Sequence, residues 1–113
     1  MTRALLVAAV AETTTGLALV LAPALVGQLL LGADLTGPAA TVARVTGIAL
    51  IGLGIACWPG PAILGMLLYS TVVALYLAHL GLDGGTAGIL LWPAVVLHVL
   101  LSIWLAHSWA KGK

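Results

Sequence analysis

Charge is what this chain most lacks: seven Asp, Glu, Lys and Arg residues among 113, or 6%, against 63% hydrophobic residues. A soluble domain carries about 25% charged residues, and seven such side chains cannot cover the surface of a water-soluble fold. Arg3, Arg44, Lys111 and Lys113 are the only strong cations, and the formal net charge is +1. They form no stripe or patch, which excludes electrostatic binding of nucleic acid. Cysteine is nearly absent. With only Cys57, an intramolecular disulfide and a thiolate metal cage within one subunit are excluded. Cys57 lies in an apolar run and reads as a small packing residue. Metal-ligand spacings, nucleotide fingerprints and nucleophile motifs are also missing. The expectation is a non-enzymatic protein with no catalytic residue, metal or cofactor.

What is present is apolar length. Four hydrophobic stretches, residues 4–22, 38–58, 61–82 and 87–109, fill most of the chain. A bilayer core about 30 Å thick needs about 20 apolar residues at 1.5 Å of rise each. The stretches therefore predict an all-α fold, an integral membrane four-helix bundle forming a single transmembrane domain over residues 1–113. Ala9-Val10-Ala11 resembles a leader cleavage site, but the apolar run before it is shorter than a signal peptide requires. That segment reads as the first membrane helix.

Arg3 precedes the first stretch, and Lys111 and Lys113 follow the last, while the opposite connections carry only Asp34 and Asp83. This bias places both termini in the cytoplasm. Trp92 fits the outer interface, and Trp58, Trp104 and Trp109 the inner one. Residues 23–31 are apolar but too short to span. Pro23 suits a helix start and Gly32 a helix end, which predicts a short interfacial helix; an extension of the first helix past Pro23 is the alternative. Trp58-Pro59-Gly60-Pro61 and Asp83-Gly84-Gly85-Thr86 read as tight connections, with Thr86 as an N-cap. Loops this short make consecutive helices antiparallel neighbours.

Without a hydrophobic drive between helices in lipid, small residues decide where backbones approach. Ala4, Ala8, Glu12 and Gly16 recur at steps of four, as do Ala39, Ala43 and Gly47, followed by Gly52 and Ala56. These ridges predict the seam between the first two long helices. Glu12 and Arg44 lie on them. A charge at mid-span costs about 2.5–3.5 kcal/mol on insertion scales. Both positions fall toward the middle and outer half of the bilayer, with Arg44 about 10 Å deep. The expectation is an intramembrane Glu12–Arg44 ion pair, with Thr13, Thr15 or Thr46 taking spare hydrogen bonds. It reads either as a clamp between two helices or as a proton or substrate site.

Tyr69, Tyr76 and His79 share one face of the third long helix, and His98 lies one turn before Ser102 on the fourth. These five form a candidate polar pocket; the alternative is that each satisfies a neighbouring helix. His107 falls on another face near the inner interface. His79 lies about 5 Å, and His98 about 16 Å, from the outer ends of their helices. That mismatch in depth argues against bis-histidine haem.

The stretch LALVLAPALVGQLLLGADLTGPAATVARVTGIALIGLGIACW, residues 17–58, resembles the front half of DoxX-like four-helix membrane proteins. Pro23, Gly32, Arg44, Gly47, Gly52 and Gly54 occupy the places of that family's proline-led short segment, small outer loop and glycine-rich second helix. The resemblance implies a four-helix bundle in a bacterial inner membrane. For some members it implies an accessory role in membrane redox complexes. Function is thus expected to be that of a scaffold or accessory subunit of a membrane complex, able to form a homo-oligomer, and the polar cluster of the helices is the expected place for a lipid-like or quinone-like ligand. Ala11-Glu12 is also similar to the first-helix glutamate of small multidrug resistance transporters, although their aromatic residues are missing. That second resemblance implies a dimeric proton-coupled transporter using Glu12.

Overall fold

The computed structural model describes residues 3–83 and 88–112, and all regular structure among them is helical. Five helices follow in order: α1 (Arg3–Leu21), α2 (Pro23–Leu31), α3 (Pro38–Cys57), α4 (Ala62–Asp83) and α5 (Leu91–Lys111). Four of them, all but α2, are long and apolar enough to cross a bilayer. The expected 3.6-residue amphipathicity of a surface helix is lacking because nearly every position is apolar. Thr86 and its turn lie outside the described residues. The chain divides into two compact units, residues 1–65 and 66–113.

In the first unit α1 and α3 run antiparallel at backbone contact. A Cβ built on Gly16 would stand 2.5 Å from the Gly47 carbonyl oxygen, and one on Gly47 would stand 2.6 Å from that of Gly16. Gly54 is pressed against the Thr13 hydroxyl and the Ala9 backbone. The seam on α1 is therefore Ala9, Thr13, Gly16 and Val20, at steps of four, three and four. Ala4 and Ala8, expected there from a strict period of four, are exposed. On α3, Ala43, Gly47 and Gly54 are buried as part of the seam or beside it, while Ala39 is exposed. Gly52 and Ala56 serve a different contact, with Gly65 in the first turn of α4.

The chain breaks between α1 and α2 because Pro23 has no N–H to continue the helix. Ala22 donates to Ala18 and Val26 to Ala22 across the break. Gly32 ends α2 in the left-handed region, φ 75°, where an L side chain is disfavoured. The following loop folds back onto Gly27, whose Cα lies against Ala33 and Leu35. At the other end of α3, Trp58 turns extended and Gly60 donates to the Ile55 carbonyl at 2.7 Å.

In the second unit α4 and α5 are antiparallel. Trp92 and Leu91, at the start of α5, pack against Gly81 near the end of α4. The rings of Tyr69 and His98 meet further along. Helix α5 begins at Leu91, four residues later than the sequence suggests, after a turn closed by Leu91 N–H to Gly88 O. The reason is Pro93. Starting at Leu91 puts the proline in the first turn, where a missing N–H costs nothing; an earlier start would bury it in the helix interior.

Candidate functional site

Arg44 stands on α3 six residues after Pro38, about 9 Å along the helix axis. Its Nε donates to the carbonyl oxygen of Val20 at 3.2 Å. Val20 belongs to the last turn of α1, where carbonyls lack helical donors and the helix dipole favours a cation. Arg44 therefore caps α1 from the neighbouring helix, supplying a donor where Pro23 breaks the ladder.

This replaces the ion pair expected from the sequence. No Glu12–Arg44 pair forms among the described residues. The register of the glycine seam is the cause. With Gly16 opposite Gly47 and Thr13 opposite Gly54, Arg44 is level with Val20, eight residues and about 12 Å from Glu12 along the axis. An arginine side chain that already reaches α1 at Val20 cannot also span that distance. Glu12 is half-buried and has no hydrogen-bond partner among the described residues. Of the hydroxyls expected to assist, Thr15 donates to Ala11 and Thr46 to Val42, while that of Thr13 lies against Gly54 and makes no hydrogen bond among the described residues.

Of the expected polar pocket, the structure brings together Tyr69 and His98. Their ring centroids are 5.8 Å apart and the planes make 70°, an edge-to-face contact; such a pair contributes about 0.5–1.5 kcal/mol beyond its buried area. The His98 Nδ1 lies 2.7 Å from the Ala94 carbonyl. Since a carbonyl only accepts, Nδ1 is the donor in this contact. Ser102 donates to the His98 carbonyl at 2.7 Å, a bond within its own helix. Tyr76 is half-buried and His79 exposed, and neither makes a hydrogen bond or ring contact among the described residues. They do not join the pair.

Two residues escape the sequence reading. Ser70, beside Tyr69, is 0% exposed with an unpartnered hydroxyl. Thr41, one turn before Arg44 on the same face, is half-buried and also has no partner among the described residues. A search for hydroxyls within one turn of each ionisable or aromatic residue would have found both.

Open apolar clefts complete the first unit. One of about 280 Å³ is lined by Val10, Thr13, Thr14, Ile55 and Trp58. Another, about 360 Å³, lies between α1 and α2, where Thr14 and Thr15 have already bonded to their own helix. Such walls offer an occupant apolar contact and little else.

The helices and their exposed faces define a helical protein with four segments able to span a bilayer. No protein-family model matches the sequence, and no curated protein or solved structure is significantly similar to it.

Proposed function

We propose that the chain is a multi-pass integral membrane protein that acts as a scaffold or accessory subunit of a larger membrane complex. The observation carrying this reading is the apolar surface left uncovered. Among its described residues α5 buries only Val95, while Val96, Leu97, Leu100, Ile103 and Trp104 are exposed. Each large apolar side chain left in water forgoes about 1.5–3 kcal/mol of burial; in hydrocarbon that cost disappears, and lipid or a partner helix covers the surface. On this reading the four long helices form a membrane bundle with α2 at the outer interface. Both termini are cytoplasmic, supported by Arg3, Lys111 and Lys113, and the compartment is a bacterial inner membrane. The DoxX-like pattern of residues 17–58 supports the accessory role, and the Tyr69–His98 pair is the contact for a lipid-like or quinone-like ligand.

Two measurements test it. The chain is expected to stay in membranes washed with alkaline carbonate. In mild detergent extracts of native membranes it is expected to migrate with other subunits. Release by carbonate would remove the membrane assignment, and migration as a lone monomer would remove the accessory one.

A second reading, a dimeric proton-coupled transporter using Glu12, is favoured by the freedom of that carboxyl from Arg44. A Glu12→Gln variant at normal abundance, but without proton-dependent flux in vesicles, would select it over the scaffold.

A further inference from the structure

We infer that Arg44, together with Thr41, is the receptor for a phosphate-type oxyanion, supplied by the headgroup of an anionic phospholipid. The Arg44 guanidinium carries five N–H donors in a planar fork. Nε–H is committed to Val20 O. That bond leaves Nη1 and Nη2 without a hydrogen-bond partner among the described residues. Their edge presents two parallel donors, the arrangement that binds two oxygens of one phosphate. No side chain among the described residues takes it. Asp34 and Glu12, the carboxylates of the same unit, form no ion pair with Arg44.

Thr41 is the second, independent observation. Four of the nine Ser and Thr hydroxyls in the long helices bond their own backbone: Thr14 to Val10, Thr15 to Ala11, Thr46 to Val42 and Ser102 to His98. Thr41 does not, although the Gly37 carbonyl one turn earlier accepts the Ala40 and Thr41 N–H groups. Positions 41 and 44 are three apart and so lie on one helix face. Both are half-buried. A guanidinium whose Nη groups have no partner among the described residues and a hydroxyl on the same helix face match one anion with several oxygens.

Placement at headgroup level rests on the membrane reading proposed above. The guanidinium reaches the last turn of α1, and a long cationic side chain near a helix end directs its charge to the interface. An uncompensated charge deeper in hydrocarbon would be costly; one neutralised by a lipid phosphate is not.

The test uses the full chain purified in mild detergent and freed of lipid. It is titrated with phosphatidylglycerol, with the matching diacylglycerol that lacks the phosphate, and with inorganic phosphate, while native mass spectrometry counts the bound molecules. Phosphatidylglycerol is expected to bind in preference to diacylglycerol. Arg44→Gln should weaken it about tenfold, the loss of one charge-assisted bidentate contact. Arg44→Lys should recover only part of the affinity, since an ammonium keeps the charge without the fork. Thr41→Val leaves the cap on Val20 intact, so its expected several-fold weakening at an unchanged melting temperature does not depend on the Arg44 variants folding. Binding of inorganic phosphate that Thr41→Val weakens, without preference for the lipid, supports the oxyanion site with free phosphate as its source. Equal affinity of diacylglycerol and phosphatidylglycerol with no inorganic phosphate bound, or affinities unaltered in Thr41→Val and in folded Arg44→Gln, would overturn the inference. A chain that resists carbonate yet shows no phosphate preference defeats this inference alone, whereas a chain released by carbonate defeats the membrane assignment.

Discussion

Ser70 is fully buried and its hydroxyl has no partner among the described residues. Burying such a group unpaired costs about 1–3 kcal/mol in protein mutational data, and removing it leaves only a methyl-sized gap. Ser70→Ala is therefore expected to raise stability by about 1 kcal/mol, read as a higher melting temperature in detergent. A lower melting temperature would mean that the hydroxyl has a partner after all. Glu12 makes the opposite kind of statement. Breaking a buried ion pair costs about 3–5 kcal/mol, whereas removing a charge that has no partner forfeits no such contact and relieves the cost of holding it in hydrocarbon. Because Arg44 is spent on Val20, Glu12→Gln should lower neither abundance nor melting temperature. Loss of folded protein in that variant would restore the clamp between α1 and α3.

Between elements, the decisive contacts are glycine on backbone. Gly16 and Gly47 leave no room for a Cβ, and overfilling a packed contact costs about 1–3 kcal/mol. Gly47→Ile should lower the detergent melting temperature by several degrees, while Ala8→Val, on an exposed position of the same length of α1, should not. Equal effects of the two changes would remove the observed seam. Parts of this level are legible in the sequence. Pro23 and Gly32 set both ends of α2 because a missing N–H and a left-handed residue act locally. Pro93 carries the same kind of local signal for the start of α5. The seam on α1 is not local. Small residues recur on α1 at steps of four, yet the contact follows Ala9, Thr13, Gly16 and Val20, since two helices must fit each other at once.

For the molecule as a whole, the proposed function has apolar length decide the solvent and charge decide the orientation. On the proposed topology, Thr36 lies outside and Lys111 inside. In a Cys57→Ser background, Thr36→Cys should react with a membrane-impermeant thiol reagent on intact cells. Lys111→Cys should react only after permeabilisation. The reverse pattern would invert the protein in the membrane.

The number, type and approximate limits of the helices could be read from the linear chain, because hydropathy sums residue by residue and the breakers act on their neighbours. Which charges meet could not. That depends on how far α1 slides along α3, and the slide is set by the single register in which Gly16, Gly47, Gly54 and Thr13 interlock. A shift of eight residues, about 12 Å, separates an ion pair from the arrangement found, in which Arg44 closes the end of α1 and Glu12 has no partner among the described residues.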